Sequence, residues 1–345
     1  MKQKSRSILL IYTGGTIGMV NDPVTGLLKP LDFDHILNQI PELYQFDCRI
    51  DTLTFDPVVD SSEIQPDFWL RLGSMIEEYY NVYDGFVILH GTDTMAYTAS
   101  ALSFLLQDLQ KPVILTGSQL PIGTLRTDGK ENLISSIEIA ASVDEHGQPM
   151  VPEVSIYFEY KLFRGNRTTK FSAETFNAFV SPNYPLLAET GVHIHYNRNA
   201  VRKTDPTKKL RLITNLDTRV MFLKIFPGLF SQIIGEITRI PSLKAIIIET
   251  YGTGNAPTSP DFLSLLKNFV DNEGIILNIS QCRAGSVDMD QYETGHKLKE
   301  VGVIGGKDMT YEAALTKLMF ILGLDISTNE KKNMLQKSIC GEMCE

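Results

Sequence analysis

The chain lacks the features that mark nucleic-acid-binding, membrane-spanning and disulfide-stabilised proteins. Its 41 acidic residues outnumber its 32 lysines and arginines, and a net charge of -9 argues against a nucleic-acid partner, because phosphate binding needs clustered positive charge. No apolar run approaches the length of a membrane span, so we expect no membrane association. The cysteines are scattered except for two in the tail, which predicts free thiols in a reducing compartment: Cys48, Cys282, Cys340 and Cys344.

The apolar run near the start of the chain is also too short for a secretion signal. A basic start leads into an apolar run, as in signal peptides, but Thr13 and Gly14 interrupt that run after about six residues. A signal peptide needs a longer apolar core. We therefore expect a cytoplasmic protein.

Apolar runs alternate regularly with amphipathic stretches along the 345 residues, which are enough for two domains with sizeable cores. This alternation predicts parallel strands covered by helices. Strands are expected at 8–12, 48–55, 86–89, 113–116, 154–158, 220–226, 245–249 and 275–279, and helices near 66–80, 96–105, 132–142, 260–272, 310–322 and 328–339.

These elements predict two three-layer α/β/α domains. The larger N-terminal domain, with a mainly parallel sheet and the catalytic residues, is expected at 1–190, and a smaller C-terminal α/β domain at 213–345. Between them, residues 191–212 are polar and show no apolar period, which predicts a linker.

The first predicted strand runs directly into Thr13-Gly14-Gly15-Thr16-Ile17-Gly18. Two glycines permit a sharp turn where a side chain would clash. Ligands bind at the carboxyl ends of strands in open α/β sheets, so Thr16 is placed for chemistry rather than for packing. The alternative is an ordinary glycine-rich turn with a capping threonine. The segment also lacks the G-x-G-x-x-G spacing of a dinucleotide site.

A second predicted strand runs into His90-Gly91-Thr92-Asp93-Thr94-Met95. A threonine hydroxyl is a weak nucleophile that needs a base, and Lys170 is a candidate if its ammonium is desolvated enough to lose a proton. Threonine, lysine and aspartate would then form a variant of the hydrolase triad. Taken singly, Asp93 could instead cap a helix, Lys170 could be a solvated surface lysine, and Asp60–Ser62 could be an ordinary turn.

Segments 13–18 and 90–95 match the two signatures of bacterial-type L-asparaginases, and the chain most resembles the cytoplasmic type I branch of that family. The resemblance continues through 165–170, 251–257 and 305–310 and covers nearly the whole chain. It implies an amidohydrolase that converts L-asparagine to L-aspartate and ammonia. No metal or organic cofactor is expected, because no cluster of histidine, cysteine and carboxylate residues has ligand spacing. The resemblance also implies a homo-oligomer, a dimer or a dimer of dimers, with active sites near the subunit interface.

The resemblance further implies a role for each candidate residue. Thr16 is the nucleophile that forms an acyl-enzyme, and Thr92, Asp93 and Lys170 form the polar relay that activates its hydroxyl. The loop of Asp60, Ser61 and Ser62 holds the α-ammonium and α-carboxylate of the substrate, and Asp93 shares the ammonium. Backbone N–H groups near Thr92 stabilise the oxyanion.

Two further candidates lie in the C-terminal half. By the resemblance, Asn255 reaches across from a neighbouring subunit, although a turn asparagine in a left-handed conformation is the alternative. Tyr292 is shared with type I relatives. It is a candidate substrate contact or, alternatively, a packing tyrosine.

The sequence departs from the family pattern at two places. Leu27 stands where many members carry a tyrosine on the hairpin after the first signature. Members that respond to asparagine as an effector carry an arginine where this chain has Glu249, which would repel a carboxylate, although Cys282 still matches.

Three other functions stay open on the residues alone. An amidohydrolase acting on glutamine or another amide is the nearest. A phosphate or nucleotide binder would use the Thr-Gly-Gly turn at a helix N-terminus, but the chain lacks a Walker lysine. A non-catalytic amino-acid-binding protein is the third, and most such binders are exported.

Overall fold

The computed structural model describes residues 5–21, 28–30, 40–229 and 231–345. The chain forms two units, one up to Ile213 and one from Thr214 onward. Unit 1 contains the strands β1 (Arg6–Tyr12), β2 (Met19–Asn21), β3 (Leu28–Pro30), β4 (Cys48–Thr54), β5 (Gly85–Leu89), β6 (Leu106–Gln107), β7 (Val113–Thr116), β8 (Val154–Phe158), β9 (Lys161–Arg164), β10 (Thr169–Lys170), β11 (Phe179–Val180), β12 (Ala188–Thr190), β13 (Ile194–Tyr196) and β14 (Arg211–Leu212). Its helices are α1 (Pro66–Tyr79), α2 (Met95–Leu105) and α3 (Gly129–Ala141).

Unit 1 is organised around an eight-stranded sheet with the order β13-β12-β9-β8-β7-β5-β1-β4. Strands β4, β1, β5, β7 and β8 pair in parallel, and β9, β12 and β13 extend the sheet antiparallel. Because β1 lies between β4 and β5, the chain moves outward from β1 first to one side and then to the other. The carboxyl ends of β1 and β5 therefore form the topological switch point at which open α/β sheets bind ligands.

The core explains why the apolar runs were visible in the sequence. Strands β5, β7 and β8 are buried at every position, as expected for parallel strands covered on both faces. Helix α3 packs Leu133 and Ile137 into the same cluster as Ile8 and Leu10 of β1. The expected mainly parallel α/β sheet is confirmed.

The predicted linker is not a separate segment in the structure. Residues 194–196 form β13, which pairs with β12, and residues 211–212 form β14, which pairs with β6. Both strands therefore belong to unit 1. The sequence did not predict these two strands, because short strands at a sheet edge bury few side chains and show no clear apolar period.

Unit 2 is a four-stranded parallel sheet of β15 (Val220–Lys224), β16 (Ala245–Thr250), β17 (Ile275–Ser280) and β18 (Ile304–Gly305), in that order. Its helices are α4 (Ser231–Thr238), α5 (Pro260–Asp271), α6 (Glu293–Glu300), α7 (Tyr311–Gly323) and α8 (Thr328–Leu335). Ile246 and Ile248 of β16 pack with Phe262 and Leu266 of α5 in its core. Among the helices of the described ranges, none has the length and apolar character needed to cross a bilayer.

Candidate active site

The Thr16 turn lies at the carboxyl end of β1 in a space too narrow for side chains. Gly14 and Gly15 have φ angles of 132° and 89°, which favour glycine. A Cβ on Gly14 would lie 2.2 Å from the carbonyl oxygen of Val59, and one on Gly15 would lie 2.5 Å from the nitrogen of Gly91. The turn therefore touches both the loop after β4, which carries Asp60–Ser62, and the loop after β5, which carries Thr92 and Asp93.

Hydrogen bonds within the turn and from outside it hold its backbone in place. Thr16 opens a 3₁₀ turn, Thr16–Gly18, in which the Gly18 N–H donates to the Gly15 carbonyl at 3.3 Å. The hydroxyl of Tyr12 donates to the Gly18 carbonyl at 3.1 Å, and the Ile122 N–H donates to the Ile17 carbonyl at 3.3 Å. Burial raises the pKa of Tyr12 to about 12, so its phenol stays a donor.

The structure brings Lys170 to the end of β5. Its Nζ donates to Oγ1 of Thr92 at 2.8 Å and to Oδ1 of Asp93 at 2.6 Å. The Lys170 side chain is 17% exposed, so it is not a solvated surface lysine. Asp93 does not cap α2, whose N-cap residue is Thr94. Hydroxyl, ammonium and carboxylate thus form one hydrogen-bonded chain.

Buried arginines hold the strand that delivers Lys170. Nε of Arg164 donates to Oε2 of Glu153 at 2.6 Å inside unit 1. The guanidinium groups of Arg164 and Arg167 lie 4.4 and 5.0 Å from the ring centroid of Tyr184, within cation–π range. Lys170 then pairs with Phe179 as β10 joins β11. The lysine is therefore presented from a fixed backbone.

The loop of Asp60, Ser61 and Ser62 lies against the segment after β5. Thr94 donates its hydroxyl to the Ser61 carbonyl at 2.7 Å, and a Cβ on Gly91 would lie 2.4 Å from Oγ of Ser61. Asp60 is exposed, and its Oδ1 accepts hydrogen bonds from the Ser62 N–H and hydroxyl, both at 2.8 Å. The backbone hydrogen bond from Ser62 lowers the pKa of Asp60, which keeps its carboxylate ionised.

A buried chain of side chains behind Thr92 was missed from the sequence. Nε1 of Trp69 donates to Oγ1 of Thr98 at 3.1 Å, and that hydroxyl lies 2.9 Å from Nε2 of His90. Nδ1 of His90 lies 2.6 Å from the carbonyl oxygen of Gly91. Burial lowers the pKa of His90 to about 4, so the ring is neutral and Nδ1–H donates. This carbonyl belongs to the peptide that carries the Thr92 N–H.

Nothing in the sequence indicated that Trp69, Thr98 and His90 are in contact. His90 lay inside a recognised segment, but Trp69 and Thr98 sit on two different helices, α1 and α2, and only tertiary packing brings them to the ring.

In unit 2, Asn255 accepts a hydrogen bond at Oδ1 from the hydroxyl of Thr294 at 2.6 Å. Tyr292 is the N-cap residue of α6 and is 53% exposed, so it is not a packing tyrosine in this unit. Oε2 of Glu249 lies 3.2 Å from Nζ of Lys224. Leu27 and the expected hairpin tip lie outside the described residues.

In the part of the chain that the structure describes, no group of three histidine, cysteine or acidic side chains is placed to hold a metal ion. The site in unit 1 instead contains the threonine hydroxyl of the Thr16 turn, the Thr92 hydroxyl that is hydrogen-bonded to Lys170, and nearby carboxylates. These are parts of covalent hydrolase chemistry on an open α/β sheet.

The comparisons name the family. The model "Asparaginase, N-terminal" matches residues 7–202, and the model "Glutaminase/Asparaginase C-terminal domain" matches residues 219–335. The chain is 41% identical to "L-asparaginase 1" of Escherichia coli, with 99% of this chain and 98% of that protein covered. It is 39% identical to a mouse "60 kDa lysophospholipase", with 98% of this chain and 62% of that protein covered.

A solved structure agrees with the sequence comparisons. L-asparaginase I of Vibrio cholerae superposes with a TM-score of 0.90 at 38% identity, covering 99% of this chain and all of that one. The chain belongs to the asparaginase family.

Proposed function

We propose that the protein hydrolyses the side-chain amide of L-asparagine to L-aspartate and ammonia through an acyl-enzyme on Thr16. The supporting observation is the hydrogen-bonded chain of Thr92, Lys170 and Asp93 beside the Thr16 turn, at the switch point of the sheet. Relatives named L-asparaginase over nearly the full chain length support the same substrate.

In the first half-reaction, Oγ1 of Thr16 attacks the amide carbon and its proton passes to the relay of Thr92, Lys170 and Asp93. The tetrahedral intermediate then breaks its C–N bond, and the nitrogen leaves as ammonia with that proton. In the second half, water attacks the ester carbon and gives a proton to the relay. Thr16 leaves with a proton as aspartate is released.

The oxyanion of both intermediates is stabilised by backbone N–H groups near Thr92. The hydrogen bond from His90 fixes the Gly91 carbonyl and therefore the orientation of the peptide N–H that follows it. A well-aimed oxyanion donor contributes roughly 3–4 kcal/mol in other enzymes.

The substrate is a zwitterion, and the loop residues offer groups of matching charge. The carboxylates of Asp60 and Asp93 take the α-ammonium, while Ser61 and Ser62 supply neutral donors for the α-carboxylate. The lowered pKa of Asp60 keeps its negative charge at neutral pH.

We infer that the site is completed by a second copy of the chain, in a dimer or a dimer of dimers, whose Asn255 and Tyr292 face the substrate. The exposed ring of Tyr292 supports this assignment. Sedimentation combined with assay tests it, and a fully active monomer would refute it. The cytoplasmic location stays a prediction from the sequence.

The deciding experiment measures ammonia release from the purified protein with L-asparagine, with L-glutamine and without substrate. We expect release with asparagine to exceed that with glutamine. A preparation that releases ammonia only from glutamine would overturn the substrate assignment, and one that releases none would overturn the reaction. A lysophospholipid should also be tested as a substrate, because two relatives are named lysophospholipase.

A further inference from the structure

The loop 251–255 in unit 2 is held at nearly every polar backbone atom. It follows β16, and Tyr251 and Asn255 form an isolated antiparallel bridge across it. Four successive carbonyls each accept a hydrogen bond: Gly252 from Oγ of Ser280 at 2.6 Å, Thr253 from the N–H of Asp288 at 2.9 Å, Gly254 from Nδ2 of Asn278 at 3.1 Å and Asn255 from the N–H of Tyr251 at 2.9 Å. A loop so fully bonded has one backbone conformation.

A second layer of contacts fixes the residues that hold the loop. Nδ2 of Asn278 can reach Gly254 because Oδ1 of Asn278 accepts a hydrogen bond from the buried hydroxyl of Thr250 at 2.7 Å. Gly254 has a φ of 112°, and a Cβ there would lie 2.9 Å from a methyl group of Val287. The chain therefore reaches Asn255 in a direction that only glycine allows.

The side chain of Asn255 is oriented by one residue from another element. Thr294, in the first turn of α6, donates its hydroxyl to Oδ1 of Asn255 at 2.6 Å. An amide has an acceptor oxygen on one side and two N–H donors on the other. With the oxygen occupied, Nδ2 points away from Thr294. Within the ranges that the structure covers, no residue accepts a hydrogen bond from this Nδ2.

We propose that Thr294 is a positioning residue that turns the Asn255 amide so that its N–H donors face the substrate, where they bind the α-carboxylate. This rests on the proposed function, in which Asn255 completes the site of a neighbouring copy. Without the Thr294 hydroxyl, the amide can rotate and present its oxygen, which would repel the same carboxylate. The group contacted does not react, so the interaction strengthens substrate and transition-state binding alike.

The test compares Thr294→Val, which keeps the shape and removes the hydroxyl, with Thr294→Ser, which restores it. We expect Thr294→Val to raise KM for asparagine about tenfold with kcat within about twofold, the loss of one oriented hydrogen bond to a charged group. The inhibition constant of the product L-aspartate should rise by the same factor. Thr294→Ser should return both constants to near the wild-type values.

Two further variants separate positioning from general damage. Thr238→Val removes a similar hydroxyl-to-carbonyl bond, to Gly235 at 3.1 Å, at the end of α4, and should leave both constants unchanged. Asn255→Ala should raise KM by at least as much as Thr294→Val, and adding Thr294→Val to it should have no further effect, because coupled residues are not additive.

Each outcome decides the matter. A wild-type protein without asparaginase activity refutes the proposed function. An active wild type with a Thr294→Val variant that behaves like Thr238→Val refutes the positioning role alone. A fall in kcat at constant KM, or an additive double variant, also refutes it.

Discussion

The ammonium of Lys170 lies 2.8 Å from the hydroxyl oxygen of Thr92, although 78 residues separate the two in the chain. Lys170 lies on the short strand β10, which follows the buried Arg164 and Arg167 in the chain, and Thr92 follows the fully buried β5. The same ammonium also binds Asp93, so a change at any of the three residues alters the hydrogen bonds of the other two.

Replacing Lys170 by Met, or Thr92 by Val, should lower kcat by several orders of magnitude, roughly 10³-fold or more, since each substitution interrupts proton transfer to and from Thr16. The double variant should be little worse than either single one, because residues of one relay act as a unit. Steady-state ammonia release measures all three. Losses that multiply in the double variant would show that Lys170 and Thr92 act independently.

Thr16→Ala should abolish turnover and leave the fold intact, because a single partly exposed hydroxyl contributes little to stability. Thr16→Ser keeps a hydroxyl and should retain measurable activity. Circular dichroism and thermal unfolding serve as the check on folding. Near-wild-type ammonia release by Thr16→Ala would rule out the acyl-enzyme mechanism.

The sequence predicted the parallel sheet because strands buried on both faces are continuous apolar runs, as at β5 and β7. It also pointed to Thr16 and Thr92, because each follows such a run directly. From the residues alone Lys170 was only a candidate base, and its place in the relay with Thr92 came from the family resemblance, because their pairing depends on the hairpin β8–β9 and the buried arginines. Short polar strands such as β13 were invisible for the same reason, since tertiary pairing rather than local pattern creates them.

Tyr12→Phe should lower kcat about tenfold and destabilise the protein by about 1 kcal/mol, since it removes the hydrogen bond to the Gly18 carbonyl and loosens the turn that carries Thr16. Tyr160→Phe, which removes a phenol from a ring that is 53% exposed, is the matched control. Urea unfolding and initial rates give the two quantities. Equal kcat values for the two variants would show that the Tyr12 hydroxyl does not position the turn.

His90 should make the protein less stable in mild acid. Burial holds its pKa in the folded state at about 4, below the ordinary histidine value of about 6.5, so the unfolded chain binds the proton first. The stabilisation is complete above about pH 6.5 and is lost as the pH falls towards 4. Between about pH 7.5 and about pH 4.5, the free energy of unfolding should decrease by about 2–3 kcal/mol from this group.

The His90→Gln variant isolates that contribution, because glutamine does not titrate. Its absolute stability will differ, so the quantity to compare is the change in unfolding free energy between the two pH values. We expect the variant to show a smaller change than the wild type by about 2–3 kcal/mol. Identical pH dependence of the two proteins would mean that His90 does not stay neutral on folding.

Asparagine should act on this protein as a substrate, with little or no activation. An effector amino acid needs a partner for its α-carboxylate, and activation needs different affinities in two states. At the position where responsive family members carry an arginine, Glu249 supplies a negative charge already paired with Lys224 at 3.2 Å. Initial rates against asparagine concentration should follow a hyperbola, with a Hill coefficient of about one.

If asparagine does activate the protein, Arg283 is the residue that we expect to bind its α-carboxylate. It follows Cys282, which still matches the responsive pattern, and its guanidinium could replace the missing arginine if it turned towards the effector. The rate curve would then be sigmoidal and would become hyperbolic on Arg283→Ala. If Glu249 does exclude the effector, the wild type and Arg283→Ala give the same hyperbola, because the Glu249 carboxylate repels the effector carboxylate and occupies Lys224, the cation beside it.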